Sequence, residues 1–249
     1  MLKPDVIIQS CQGRARHTHV PNQFKLVSWN IYKINHKNPI AFERYINQLH
    51  NQCEIEFYLL QEAKHSDTSF FPLTGFCLNF AANLKLRKHA YGVLTASNIN
   101  CDYAYHLLSE EREFLLRTHK STLVNHYFFA DGTPLIIANI HAINFKNSKA
   151  YEKELQLLHE SLQDYGEVPM IIAGDFNCWN KKRNHLIRQL TRQLKLIQVD
   201  FEDKHHIKRF AKHPLDLVLY KNLICLVATA IDSEAVSDHN PLLLKFSKL

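Results

Sequence analysis

The segment Met170-Ile171-Ile172-Ala173-Gly174-Asp175-Phe176-Asn177 runs apolar into a glycine, then presents a carboxylate and a carboxamide two residues apart. Side-chain alternation puts Asp175 and Asn177 on one side of an extended chain. Gly174 lets the backbone turn sharply or be approached closely. Taken alone, such a pair is ordinary turn chemistry, because Asp and Asn bond to nearby backbone. The pattern recurs, however. Leu26-Val27-Ser28-Trp29 ends at Asn30, Phe57-Tyr58-Leu59-Leu60-Gln61 ends at Glu62, and Ile136-Ile137-Ala138-Asn139-Ile140 runs into His141 with Asn144 following. Ser237-Asp238-His239-Asn240 precedes an apolar run from Leu242 to Leu244, and Asp216 stands between Leu215 and Leu217-Val218-Leu219-Tyr220. Turn chemistry does not explain this repetition. Groups able to bind a metal or a phosphate belong at the ends of rigid strands, where loops open to solvent.

The elements that must carry these groups follow from periodicity. A first strand to Trp29 leads to an amphipathic helix over Pro39 to Asn51, with Ile40, Phe42, Tyr45, Ile46 and Leu49 on its apolar face and Asn38 as its cap. A strand reaches Glu62, and the text from Phe76 to Phe129 is strand-like, with pieces at Tyr91 to Ala96, Phe114 to Leu116 and Thr122 to Phe129. Asp131-Gly132 marks a turn before the strand to His141. A second helix is expected over Ser148 to Tyr165, stopped by Gly166, and a third over Arg183 to Leu194. Short strands follow near 196–199, 215–220, 223–231 and 241–246. Strands outnumber helices without strict alternation, which disfavours a doubly wound parallel sheet. Two packed mixed sheets with outer helices fit better.

At 249 residues and 46% hydrophobic content the chain can build a substantial core. One domain over residues 23–249 is expected, because a site assembled from Asn30 to His239 draws on the whole chain and no Pro/Gly/Ser-rich linker interrupts it. Residues 1–22 lack periodicity and read as a flexible N-terminal arm. The six cysteines are scattered without metal-site spacing and read as reduced, mostly structural thiols, although an even count also permits disulfides in a secreted protein. There is no signal-peptide pattern and no run of apolar residues long enough for a membrane span, so a cytoplasmic location without membrane insertion is the default expectation. A secretion signal of another kind would escape this test. A net charge of +6 with 16 histidines favours polyanionic partners, nucleic acid or anionic lipid surfaces. Basic clusters occur at 85–89, 181–183 and 204–209, and the usual role of such a cluster is a solvated loop. Lys181 and Arg183 are singled out because they follow Asp175 and Asn177 closely enough to meet phosphates flanking a scissile bond.

In their order along the chain, Trp29-Asn30, Leu60-Gln61-Glu62, Asn139-Ile140-His141, Gly174-Asp175-Phe176-Asn177, Leu215-Asp216-Leu217-Val218 and Ser237-Asp238-His239 resemble the endonuclease/exonuclease/phosphatase superfamily, from Phe24 to Phe246. Each motif is short, and the ordered set is specific. Within that superfamily, Tyr91-Gly92-Val93-Leu94-Thr95, Arg112-Glu113, Asn139 to Phe145 and Ala235 to Leu243 look like the bacterial YafD-like group. The resemblance implies an α/β four-layer α/β/β/α sandwich of the DNase I-like kind, and hydrolysis of a phosphoester by water with a divalent metal, Mg²⁺ or alternatively Mn²⁺. Asn30 and Glu62 are oxygen donors suited to Mg²⁺, with Asp238 completing the site directly or through water.

The resemblance further implies that Asp175 orients and deprotonates the attacking water, with Asn177 donating to the phosphate or to Asp175. His239 binds a non-bridging oxygen, with Asp216 fixing its tautomer. His141 lies close to the phosphate and Asn144 contacts it. Glu113 either supplies a carboxylate to His141 or belongs to a surface strand pair, and Trp179 either stacks on a base or packs in the core. The leading function is a phosphodiesterase acting on nucleic acid. The alternatives are a lipid or inositol-phosphate phosphohydrolase of sphingomyelinase type and a non-catalytic binding protein with the same fold. Oligomeric state is not legible.

Overall fold

The computed structural model describes residues 7–11, 13–66, 71–86, 88–108, 120–144, 148–210 and 212–249. In chain order the elements are β1 (Ile7–Cys11), β2 (Gln23–Asn30), α1 (Ile34–Lys37), α2 (Pro39–Cys53), β3 (Phe57–His65), β4 (Cys77–Lys85), β5 (Ala90–Ser97), β6 (Tyr103–Leu108), β7 (Ser121–Phe128) and β8 (Pro134–His141). There follow α3 (Ser148–Leu162), β9 (Met170–Asp175), α4 (Lys181–Gln193), β10 (Ile197–Gln198), β11 (Arg209–Phe210), β12 (His213–Pro214), β13 (Asp216–Lys221), β14 (Leu223–Ala230) and β15 (Leu242–Lys248). One sheet has the order β1-β4-β5-β3-β2-β15-β14 and the other β10-β13-β9-β8-β7-β6. Among the described strands each sheet contains one parallel pair, β2 with β3 and β8 with β9. A parallel pair needs a crossover connection, and helices α2 and α3 lie in those two connections.

Alternation along the central strands builds the layers. Phe24 and Leu26 of β2, Phe57 and Leu59 of β3, Leu135 and Ile137 of β8, and Ile171 and Ala173 of β9 share one core between the sheets. The intervening Val27, Trp29, Tyr58 and Leu60 pack with Phe42, Tyr45, Ile46 and Leu49 of α2. Ile136, Ala138, Ile140, Met170 and Ile172 pack with Tyr151, Leu155 and Leu158 of α3 and Leu186, Ile187 and Leu190 of α4. The result is the expected sandwich of helix, two mixed sheets and helices. Asn38 caps α2 as expected, accepting from Ala41 N at 3.1 Å, with Pro39 in the first turn. Ile40, expected on the apolar face, is 79% exposed, because helical spacing puts it on the side opposite the buried Phe42, Tyr45, Ile46 and Leu49.

The same inward-facing rows turn polar toward one end of the sandwich. After Leu59 comes Gln61, after Ile137 come Asn139 and His141, after Leu26 come Ser28 and Asn30, and after Ala173 comes Asp175. Gln61 Nε2 donates to Asn139 Oδ1 at 2.8 Å, and Asn139 Nδ2 donates to Leu94 O at 2.9 Å, both side chains being wholly buried. These bonds tie the two sheets together just beneath the site. Gly174 is required at this point: a Cβ there would lie 1.9 Å from Ile140 O, and its φ is 145°.

Three expectations are corrected. Of the presumed flexible arm, residues 7–11 form β1, antiparallel to β4, and Val20 is buried and bridges to Phe129. An edge strand obtains its backbone bonds by pairing and needs no amphipathic pattern, so periodicity does not reveal it. The six cysteines are not all reduced, since Cys11 and Cys77 stand opposite each other in that pairing and form a disulfide. Glu62 does not end its strand. β3 continues to His65, and Glu62 sits at a bulge in left-handed backbone, φ 53°. Among the described residues, no helix is long and apolar enough to cross a membrane.

Candidate active site

The site follows from topology. Asn30, His141 and Asp175 end the parallel strands β2, β8 and β9. Asp216 opens β13, which runs antiparallel to β9 with Asp216 opposite Asp175. β15 is antiparallel to β2, so the segment just before it, with His239, arrives at the same end. Simple alternation would aim Glu62 with Leu60 at the helical layer. The bulge re-aims it into the cleft.

Asp175 is the hub. Its Oδ1 accepts from Asn177 N at 3.0 Å and its Oδ2 from Asn30 Nδ2 at 3.1 Å. His141 Nε2 lies 3.6 Å from Oδ2. Burial first, and then the neighbouring Asp216, hold this carboxyl well above the usual carboxylate range. Across from it, His239 Nδ1 bonds Asp216 Oδ2 at 2.7 Å, and Trp29 Nε1 fixes the His239 carbonyl at 2.8 Å. Burial alone would lower the His239 pKa. The carboxylates of Asp216, Asp175 and Asp238 outweigh it and raise the ring to about 9. His141 goes the other way: burial, followed by the charges of Lys120, His239 and Lys33, pushes it well below its ordinary value.

Lys120 Nζ stands 3.0 Å from His141 Nε2. An ammonium only donates, so Nε2 is the acceptor and the ring proton lies on Nδ1, which is buried without a hydrogen-bond partner. A cleft of about 720 Å³ opens over these groups. Glu62, Asn30, Asp175, Asn177, His141, His239, Asn144 and Asp238 line it, together with Tyr32, Lys33, Lys120, Lys208 and Phe210.

For a divalent cation the donor chemistry fits at Glu62 and Asn30. Glu62 Oε2 is buried and makes no hydrogen bond, although Lys33 Nζ lies 3.1 Å away as an ion-pair partner. Asn30 offers a second hard oxygen, which also accepts from Tyr32 N at 3.0 Å. Asp175, Asp216 and His239 also converge, with ligand atoms within 4.8 Å of one another. The hydrogen bond and raised pKa place a proton on His239 Nδ1, so this trio is a hydrogen-bonded dyad beside a carboxylate and not a vacant coordination shell.

The remaining sequence expectations divide. Asp238 lines the cleft, with its carboxylate exposed and paired to Lys208 at 3.2 Å. Asn177 touches Asp175 through its backbone N–H, while its side-chain amide donates to Ala142 O at 3.0 Å. Asn144 lines the cleft, and its Oδ1 accepts from Trp179 Nε1 at 3.0 Å, which holds Trp179 at the rim. Arg183, expected at a phosphate, is wholly buried. It donates to Ile143 O at 2.7 Å and Asn177 O at 2.8 Å and lies over the Tyr151 and Trp179 rings. It therefore joins the loops after His141 and Asp175 to each other, because the inward face of α4 carries it under those loops. Lys181 is exposed on the first turn of α4 and does not line the cleft. Arg112 and Glu113 lie outside the described residues. Lys120 is the member that sequence reasoning missed. A lone lysine before β7 carries no motif, and only the sheet pairing brings it to His141.

The family model described as Endonuclease/Exonuclease/phosphatase family matches residues 27–239. UPF0294 proteins of Photorhabdus laumondii and Erwinia tasmaniensis are 33% and 32% identical over 228 residues each, covering 90% of this chain and 84% and 81% of theirs. Among solved structures, the human Nocturnin catalytic domain with bound sulfate anion superposes with a TM-score of 0.69 at 16% identity, over 92% of this chain and 96% of that one. The ordered strand-end residues, the two-sheet sandwich and these likenesses agree, and the chain belongs to the endonuclease/exonuclease/phosphatase family.

Proposed function

We propose that the chain is a divalent-metal-dependent phosphoester hydrolase, a phosphodiesterase that cleaves nucleic acid by in-line attack of water. The observation that carries this reading is the meeting in one cleft of a buried carboxyl poised above its usual pKa and a carboxylate-bound, protonated histidine. Glu62 and Asn30 would hold the cation, with Asp238 at the cleft mouth. When bound, Mg²⁺ or Mn²⁺ would supply Lewis-acid charge on the phosphoryl oxygens.

Asp175 then orients water and takes its proton, a task suited to a group titrating near neutrality. Its geometry is held by Asn30 Nδ2 and Asn177 N. His239, with Nδ1 committed to Asp216, donates from Nε2 to a non-bridging oxygen. Lys120, with neutral His141, adds positive charge on the other side of the phosphate. Nucleic acid is favoured as substrate by the net charge of +6 and by Lys33, Lys120 and Lys208 in the cleft wall.

The test is hydrolysis by purified protein with Mg²⁺ of DNA, RNA, an abasic-site duplex, bis(p-nitrophenyl) phosphate and p-nitrophenyl phosphate. Polynucleotide and diester cleavage is expected, abolished by His239→Ala and lowered about 100-fold at low Mg²⁺ by Glu62→Ala. Turnover of the monoester alone removes the phosphodiesterase assignment, and activity indifferent to both substitutions removes the site.

A further inference from the structure

Beside the cleft, the turn after β2 is built in a costly way. Tyr32 and Lys33 both occupy left-handed backbone, φ 43° and 62°, which side chains with a Cβ avoid. The conformation is over-determined by its neighbours: Tyr32 N donates to Asn30 Oδ1 at 3.0 Å, Lys33 N to Glu62 O at 3.1 Å and Ile34 N to Ile31 O at 2.8 Å. The turn is therefore anchored on the two residues assigned to the cation. Asn35 extends the anchor, bonding both the N–H and the carbonyl of Lys64 at 3.2 and 2.6 Å.

The consequence is a half-exposed aromatic ring at the cleft mouth, Tyr32 at 47% exposure, with Lys37 Nζ 3.5 Å from its centroid. Joined to the same turn through Asn35 is a cation of another kind. Lys64 is only 9% exposed, and its ammonium faces the His36 ring at 2.9 Å without a carboxylate partner among the described residues. His89 stands 6.4 Å beyond His36. An ammonium that meets only imidazole among the described residues has no opposite charge there to compensate it. Glu62 of β3, whose carbonyl anchors the turn, is engaged by Lys33 and is wanted by the proposed cation.

We propose that Tyr32, Lys37 and Lys64 form a nucleotide subsite flanking the scissile position, taking single-stranded nucleic acid with a base on the Tyr32 ring and the adjoining phosphate on the two lysines. Stacking beside backbone neutralisation is how single strands are held without base readout. The subsite rests on the phosphodiesterase reading, whose substrate it narrows from polynucleotide in general to an unpaired strand.

The experiment measures binding of a fluorescein-labelled oligonucleotide of about twelve nucleotides by anisotropy in EDTA, over a range of salt. Tyr32→Ala is expected to weaken binding about tenfold with the salt slope unchanged, and Tyr32→Phe to restore it. Lys37→Ala and Lys64→Met are each expected to reduce the slope of log K against log salt by about 0.7. Wild-type affinity and slope in all these variants overturn the subsite. Binding to phosphatidylserine vesicles that is lost in Tyr32→Ala, with oligonucleotide binding unaffected, overturns it in favour of a lipid surface. Hydrolysis of bis(p-nitrophenyl) phosphate by the wild-type protein, run in parallel, separates the failures. Hydrolysis without any variant effect on binding sinks the subsite alone, whereas the expected variant effects without hydrolysis support the subsite and sink the catalytic reading.

Discussion

The two sheets contribute to the cleft in parallel ways, and Glu62 alone of the four strand residues they bring there keeps part of its side chain in solvent. Each supplies the ends of a parallel pair, Asn30 and the bulged Glu62 from β2 and β3, His141 and Asp175 from β8 and β9. Glu62 keeps 21% of its side chain exposed, while His141 and Asp175 keep 4% and 5%. On the function proposed above, the difference separates two chemical tasks. A group that collects a hydrated cation must be reached from solvent. Groups that handle protons near neutrality need the pKa shifts that burial brings. Asn30, itself only 2% exposed, bonds Asp175 across the sheets and so links the more exposed Glu62 side of the cleft to the dry half.

The largest expected effects test that division directly. Asp175→Ala should lower kcat/KM about 10³-fold, beyond recovery at any Mg²⁺ concentration. Glu62→Ala should fall about 100-fold at low Mg²⁺ and regain activity as the metal is raised, because its loss weakens cation binding first. Mg²⁺ titrations of both variants check this, and equal rescue of the two would erase the distinction. Next in size is Gly174→Ala, whose Cβ would meet Ile140 O at 1.9 Å in the layer that supports the dry half. A loss of about 3 kcal/mol or more is expected by chemical denaturation. A variant as stable as the parent would show that β8 and β9 can part without cost.

A pH profile sharpens the comparison further. The rising limb of kcat/KM should lie above the usual carboxylate range, set by Asp175, and the falling limb near pH 9, set by loss of the His239 proton. Asp216→Asn removes the anion that raises His239, so the falling limb should move to lower pH. The stability signs differ between the two groups. His239, raised from 6.5 to about 9, contributes stability that is complete below the lower value and is lost as pH rises through the higher. Asp175, raised as an acid, subtracts stability as it ionises on the way to neutral pH. Denaturation of the parent and of Asp216→Asn across this range measures both.

The smallest effect concerns the far edge of the first sheet. Four free thiols, Cys53, Cys101, Cys178 and Cys225, should react in denatured, unreduced protein. Six would mean that Cys11 and Cys77 remain thiols. Reduction should loosen β1 and leave hydrolysis unchanged, since neither cysteine lines the cleft.

Much of the molecule is legible in its amino-acid sequence alone. Runs such as 26–29, 57–61, 136–140 and 170–173 are long enough and apolar enough to be buried strands in any arrangement, and the polar residue closing each run stands out because it interrupts that burial. The helix expected over 39–51, and found over 39–53, was legible from its cap and stripe. Legibility failed where a side chain's role depends on which face it is given. Arg183 and Lys181 sit two apart in one basic cluster. The first turns inward under the catalytic loops, the second outward to water, and composition does not separate them.

The amino-acid order thus determined the family, the two-sheet architecture and the polar residues that interrupt the buried runs, Asn30, Glu62, His141 and Asp175 among them, because local burial patterns and their polar terminations are written in nearest-neighbour sequence. Tertiary structure alone decided that Glu62 reaches the cleft through a bulge, that Lys120 joins His141, that Arg183 is a brace, and that Cys11 meets Cys77. Each of these depends on strand register or helix rotation between distant segments. One residue of slip exchanges the faces, and no local pattern records it.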